Sequence, residues 1–135
     1  DDQLCAIAQT GGTVGLNLYP PFLGERADFE TLRKHLEHVL RICGEKHVAL
    51  GGDLDGCDRL AAGFTTVADY ASFYEYLHSC GYEESLLECL FFTNLLSITA
   101  PAANIKIAIN CDVDNTPTAP LGSFLKNSIR KRPTA

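Results

Sequence analysis

Apolar positions that recur every three or four residues predict four helices in this chain. The longest predicted helix begins after Asp28, which is suited to be its N-cap, and ends at Gly44. Its apolar positions are Phe29, Leu32, Leu36, Val39, Leu40 and Cys43. The same kind of spacing predicts helices over residues 2–10, 68–79 and 83–96.

Two short apolar runs, 13–18 and 47–52, fit strands instead, and the second is typical of a strand buried on both faces. Two prolines within 19–24 predict a loop there, and a longer loop is expected over 53–67. Strands that alternate with helices favour an α/β fold with βα units and a parallel sheet. Two strands cannot cover such a sheet alone, so we expect neighbours, either from further polypeptide or from another copy of the chain.

The character of the chain changes near its carboxyl end. Five of the 11 basic residues but only two of the 17 acids lie after residue 100, together with four of the six prolines. We therefore expect one domain over 1–98 and an irregular basic tail over 99–135, with one candidate strand at 104–110.

Composition excludes several classes of protein. A formal charge of −6 disfavours a nucleic-acid-binding surface, and no apolar run is long enough to span a membrane. The chain has no methionine, shows no signal peptide and opens on a helical pattern, so we expect a segment of a longer protein. The six cysteines form no CxxC pair, which favours reduced, buried thiols and a cytoplasmic location over disulfides or a thiolate metal site.

The strongest candidate for chemistry is the segment Gly51-Gly52-Asp53-Leu54-Asp55-Gly56. Its first carboxylate follows directly on a predicted strand, and residues at the carboxyl ends of strands face the active site in barrels of alternating strands and helices. The alternative is that Asp53 and Asp55 only cap the next turn. A calcium-binding EF-hand loop is excluded, because its sixth and twelfth positions would be Asp58 and Phe64 instead of glycine and glutamate.

Several motifs together resemble one family. They are Ala8–Tyr19, which contains Gly11-Gly12-Thr13-Val14-Gly15-Leu16-Asn17-Leu18, then His47–Gly56, Gly81-Tyr82 and Asn94-Leu95-Leu96. In order and in spacing they resemble the carboxyl-terminal part of the membrane (renal) dipeptidase family, and among its members those of bacteria without a membrane anchor. The resemblance covers residues 1–98.

The resemblance implies a binuclear zinc dipeptidase of the amidohydrolase superfamily, of which this chain would supply the last two to three βα units of a (β/α)8 TIM barrel. Asp53 matches the aspartate after the eighth strand, to which the family assigns proton transfer. Tyr19 matches the loop after the seventh strand, which helps to line the pocket for the dipeptide substrate. Asn17 and Asp55 belong to the same motifs and are further candidates for substrate binding, although we favour structural roles for both.

The resemblance implies two Zn²⁺ ions that share a nucleophilic hydroxide, but their ligands would lie upstream of Asp1. The histidines of this chain do not replace them, because His35 and His38 are three residues apart and not four, as in HExxH sites. We expect the chain alone neither to bind zinc tightly nor to hydrolyse dipeptides.

Two other functions remain open. One is a non-catalytic module derived from a barrel, which binds a partner or assembles with itself. The other is a small phosphatase that uses Asp112, because Asp112–Thr116 echoes a phosphatase nucleophile motif; too few residues follow it for that domain. The run Ile105–Asp112 also echoes the family's first strand, with Asn110 in place of a metal-binding histidine.

Overall fold

Two parallel strands form the centre of the structure. A computed structural model of the chain describes residues 1–24 and 26–99, which belong to one compact unit, Asp1–Thr99. Strand β1 (Val14–Asn17) pairs with β2 (Val48–Gly52), and the parallel pairing confirms the predicted α/β class. The register is regular from Val14 opposite Val48 to Leu16 opposite Leu50, and it then shifts so that Asn17 lies opposite Gly52.

Six helices accompany the strands within the described residues. They are α1 (Asp2–Gln9), α2 (Pro20–Leu23), α3 (Phe29–Cys43), α4 (Tyr70–Ser79), α5 (Glu84–Glu88) and α6 (Asn94–Thr99). Short 3-10 turns occupy Glu45–His47 and Val67–Asp69, and a π-helical segment spans Cys89–Thr93.

Helix α3 begins and ends where the sequence predicts. The Asp28 side chain accepts a hydrogen bond from the Thr31 backbone N–H at 2.9 Å, which satisfies one of the free donors of the first turn. Gly44 ends the helix with a φ of +81°, a conformation that suits glycine. The inward face of α3 packs against both strands and against α4.

The core lies between the strands and helices α3, α4 and α5. Its largest fully buried side chains are Phe73, Leu18, Leu32, Leu36, Leu77, Leu87, Leu90 and Val48. Phe73 is surrounded by aromatic rings, with ring centroids 5.2 Å from Phe29 and 5.7 Å from Phe64. By contrast, α1 contacts α3 but buries no residue.

The prediction of a loop over 19–24 is wrong, because residues Pro20–Leu23 form the short helix α2. Pro20 and Pro21 occupy the first helical positions, where an N–H has no partner within the helix and the fixed φ of proline already suits a helix. Proline therefore begins a helix here.

The predicted helix over 83–96 is present as continuous helical backbone from Glu84 to Thr99, but a π-helical segment, which the sequence does not predict, lies between α5 and α6. Apolar spacings of three and four residues are compatible with both helix types over so short a stretch, so the pattern could not reveal the change. Directly after the segment, the buried Asn94 side chain donates to the carbonyls of Glu45 and Val48, at 2.6 and 2.8 Å. These bonds fasten α6 to the amino end of β2.

Two expectations of burial hold only in part or fail. Val48 and Ala49 point to opposite faces of β2 and are both buried, whereas Gly51 is exposed, so the strand is covered on both faces only in its first part. Of the five described cysteines, all free, none is buried: Cys5 and Cys80 are exposed, and the others are half-buried. Cys43 and Cys80 lie at the ends of α3 and α4, and Cys57 lies in the turn after β2.

The candidate strand at 104–110 and the motif around Asp112 lie outside the described residues. Within the described part of the chain, no helix has both the length and the apolar character needed to cross a bilayer.

Candidate functional site

Asp53 lies directly after β2, at the carboxyl end of the strand. Its side chain is exposed, and its φ of +67° is one that residues other than glycine rarely adopt. The Asp53 N–H donates to the Gly51 carbonyl at 3.0 Å, and the Gly56 N–H donates to the Asp53 carbonyl at 3.3 Å. Left-handed residues of this kind concentrate at functional sites, where the surrounding structure holds them.

The glycines on either side of Asp53 leave space for functional atoms. A Cβ atom on Gly52 would lie 2.5 Å from the Tyr70 hydroxyl, and Gly52 also has a φ of +68°. A Cβ atom on Gly56 would lie 2.9 Å from the carboxylate carbon of Asp53 and nearer still to Oδ1. Gly56 does not adopt a positive φ, so the reason for glycine here is the adjacent carboxylate and not the backbone freedom expected for a turn.

Asn17 lies beside Asp53 because of the register shift between the strands. The shift inserts Gly51 as an extra residue in β2 and places Asn17 opposite Gly52. Asn17 Nδ2 then donates a long hydrogen bond of 3.4 Å to Asp53 Oδ2, while its Oδ1 accepts from the Tyr19 N–H at 2.6 Å. The Asn17 side chain thus connects the carboxyl ends of β1 and β2.

Cys57 is a member of this cluster that the sequence reasoning missed. Its Sγ donates to the same carboxylate oxygen, Asp53 Oδ2, at 3.4 Å. Burial raises the pKa of the Cys57 thiol, and the bond to Asp53 and the charges of Asp53 and Asp58 raise it further. The thiol therefore stays protonated near neutral pH and acts as a donor.

Tyr19 and Asp55 lie near this cluster without joining it. Tyr19 is half-buried, and its ring meets the ring of Phe22 edge-on at 5.2 Å. A cleft of about 490 Å³ lies beside it and is lined by Pro20, Pro21, Gly24, Ala27, Arg59, Leu60 and Ala62. Asp55 is exposed, and no hydrogen bond or ion pair joins it to another described residue. Contacts of Tyr19, Asn17 and Asp55 with substrate remain predictions.

A comparison with protein families decides which family this site belongs to. The family model described as membrane dipeptidase (peptidase family M19) matches residues 1–111. The chain belongs to the membrane dipeptidase family. The match includes both strands and the Asp53 turn, and it extends past residue 98, where the motifs quoted from the sequence end.

Curated relatives of this dipeptidase family member match over most of the chain. An uncharacterized dipeptidase of Schizosaccharomyces pombe is 31% identical over 102 residues, which is 73% of this chain and 25% of the relative. Dipeptidase 3 of Mus musculus is 30% identical over 108 residues, which is 78% of this chain and 22% of the relative. The chain thus spans about a quarter of the length of these relatives.

Solved dipeptidase structures share the fold of the described residues. The dipeptidase AC, a metallopeptidase of family M19, aligns with a TM-score of 0.67 and 31% identity, over 72% of this chain and 30% of its own. A metallopeptidase from Rhodobacter sphaeroides, liganded with a phosphinate mimic of the dipeptide L-Ala-D-Ala, aligns with a TM-score of 0.66 and 31% identity, over 72% of this chain and 29% of its own.

Membership of a metallopeptidase family implies a metal cofactor. The described residues do not form a centre for it, because no three of their His, Cys, Asp or Glu side chains are grouped to hold an ion. Three of the four histidines have other partners: His35 contacts the Leu23 carbonyl, His38 the Asp1 carboxylate and His47 the Gly12 carbonyl. At Asp53, Oδ2 already accepts from two donors.

Proposed function

We propose that this chain contributes Asp53, as the group that transfers protons, to the active site of an enzyme that hydrolyses dipeptides. The proposal depends on one observation above all: Asn17 and Asp53 meet at the carboxyl ends of two adjacent parallel strands, in a member of a dipeptidase family. Carboxyl ends of strands form the active-site face of TIM barrels. We accordingly propose that the described residues are βα units near the end of such a barrel.

The two oxygens of the Asp53 carboxylate have different surroundings, and this difference suits proton transfer. Oδ2 accepts from Asn17 and Cys57, whereas no donor among the described residues reaches Oδ1. Oδ1 would accept a proton from the attacking water and deliver it to the amine nitrogen that leaves as the peptide bond breaks. General acid–base catalysis of this kind contributes about 100-fold to 10,000-fold in rate.

The substrate class follows from the family and from a solved relative. That relative is liganded with a mimic of a dipeptide, and we propose dipeptides as substrates here. Tyr19 and the cleft beside α2 would form part of the pocket, because both follow the carboxyl end of β1.

Zinc is the metal that the family resemblance implies, and we propose that polypeptide other than the described residues supplies its ligands. The 135-residue chain alone would then hydrolyse no dipeptide, with or without added Zn²⁺. Release of alanine from alanyl-alanine by the purified chain, above the rate of a blank, would contradict this expectation.

The role of Asp53 is tested in the full-length natural protein that contains this sequence. Asp53→Asn keeps the shape of the side chain and removes its charge, and we expect kcat to fall about 100-fold or more. Asp58→Asn, an equal change at an exposed position of the same loop, is the control and should retain activity. Activity of Asp53→Asn within about twofold of the unmodified enzyme would refute the proposal.

A second candidate function, assembly without catalysis, is favoured by apolar side chains left in solvent. Ile7 in α1 and Ile98 in α6 are both exposed. Such side chains would pack against the remainder of a barrel or against another copy of the chain. Sedimentation at increasing chain concentration tests packing against another copy, since a monomer at all concentrations would exclude self-assembly.

We also propose a reducing compartment, such as the bacterial cytoplasm, because Cys57 donates to Asp53 only as a free thiol. Alkylation of freshly lysed cells followed by mass spectrometry would show Cys57 alkylated there; an oxidised Cys57 would contradict the proposal.

A further inference from the structure

Cys57 has a position relative to Asp53 that suggests a role beyond filling space. We propose that Cys57 is a positioning residue for Asp53: its thiol and the Asn17 amide hold Oδ2, and Oδ1 is left free to exchange protons with substrate. This inference rests on the proposed function of Asp53. It adds a residue that acts through the carboxylate and touches no substrate itself.

The geometry of the turn supports this role. Cys57 follows Asp53 by four residues, and the bond from the Gly56 N–H to the Asp53 carbonyl closes the turn between them at 3.3 Å. Closure places Sγ 3.4 Å from Oδ2, which is within the reach of a thiol donor. Asn17 approaches the same oxygen from the neighbouring strand, so donors from two separate elements fix one carboxylate.

Gly56 lies next to Oδ1, the other oxygen of the Asp53 carboxylate. Its Cα lies against the carboxylate, since an added Cβ would come within 2.9 Å of the carboxylate carbon. The side chain of Asp53 is therefore bounded by two donors at Oδ2 and by a residue without a side chain next to Oδ1. Oδ1 can thus meet a small reactant without first losing a hydrogen bond to a described residue.

The charges around the thiol favour its protonated form. Asp53 and Asp58 both act on Cys57, and each disfavours a thiolate. Asp55 is exposed in the same loop and is not among the causes of the raised thiol pKa. Loss of the Asp53 charge should therefore make the thiol more acidic, whereas loss of the Asp55 charge should not.

The contact itself can be tested in the 135-residue chain without any enzymatic activity. The rate at which iodoacetamide alkylates Cys57 at pH 8 is followed by peptide mass spectrometry, with the exposed Cys5 and Cys80 as internal references. Asp53→Asn is expected to raise the alkylation rate of Cys57 above that of the unmodified chain, because loss of the carboxylate charge increases the fraction of thiolate and the lower nucleophilicity of a more acidic thiol offsets only part of this gain. Asp55→Asn is the matched control. Equal rates in the unmodified chain and in Asp53→Asn would overturn the inference.

The positioning role is tested in the longest polypeptide that carries this sequence. Cys57→Ala removes the donor and should lower kcat about tenfold while KM changes little; Cys57→Ser keeps a donor and should restore most of the loss. An unchanged kcat in Cys57→Ala, or an equal loss in both variants, would overturn the inference and leave the proposed function intact. Full activity of Asp53→Asn would instead refute the proposed function.

Discussion

Replacement of Gly56 by alanine separates the chemistry of the site from the stability of the fold. Gly56 has no positive φ, so its backbone accepts alanine without strain. The added methyl group, however, would lie 2.9 Å from the carboxylate carbon of Asp53. The carboxylate is the end of a flexible side chain, so it is the group that must move.

The size of the effect follows from this distance. Non-bonded carbon atoms rest about 3.5–4.0 Å apart, so the carboxylate must retreat by roughly 1 Å. Misplacement of a reacting group by about 1 Å can cost about 100-fold in rate. Alanine in place of an unstrained glycine changes the free energy of unfolding by no more than about 1 kcal/mol, in the stabilising direction.

Two assays measure these effects. In the longest polypeptide that carries this sequence, kcat for alanyl-alanine should fall about 100-fold in Gly56→Ala. In the 135-residue chain, urea unfolding should show nearly unchanged stability. The contrasting variant is Gly15→Ala, whose Cβ would lie 3.0 Å from the backbone Cα of Gly51 and which should therefore lose stability. A Gly56→Ala enzyme with normal kcat, or a chain that unfolds readily, would show that the carboxylate does not lie where we describe it.

Three further predictions concern stability, measured by urea unfolding of the chain. Phe73→Ala should lower the free energy of unfolding by about 3–5 kcal/mol, since Phe73 is 0% exposed. Phe22 is 69% exposed, so Phe22→Ala should lower it by under about 1 kcal/mol. Equal losses in the two variants would contradict the described core. Asn94→Ala should cost about 2 kcal/mol, because two carbonyls lose their donor, and an unchanged unfolding midpoint would contradict this. Hydrogen bonds from Arg33 and then from Tyr76 lower the pKa of Glu30 from 4.5 to about 2. The difference in the free energy of unfolding between the unmodified chain and Glu30→Gln should therefore be full above about pH 5 and decline as the pH falls towards 2. A difference that stays constant over that pH range would refute this prediction.

The elements with strong local signals were predictable from the sequence. Helix α3 has an N-cap at Asp28, a stop at Gly44 and a regular apolar face, and each of these features depends only on nearby residues. The two strands were apparent as apolar runs, and their parallel pairing followed from the helix between them. The position of Asp53 directly after β2 was predictable from the same apolar run.

Features that depend on contacts between distant residues were not predictable. The register shift at Gly51 arises from pairing with β1, and hydrophobic patterns do not show where pairing becomes irregular. The bond from Cys57 to Asp53 depends on how the turn closes, and the sequence showed only a cysteine between Gly56 and Asp58. The prolines at 20 and 21 exclude a central strand, which favours a loop from the sequence alone, but proline at the first helical positions is equally compatible with the helix Pro20–Leu23.

The anchoring of Asn94 has a practical consequence for protein engineering. Asn94 secures the start of β2, whereas Asp53 follows its other end, roughly 16 Å away for a strand of this length. Substitutions in the loop after Asp53 would therefore leave the attachment at the opposite end of the strand in place. Helix α6 should be left unchanged in directed evolution, because Asn94 is its first residue.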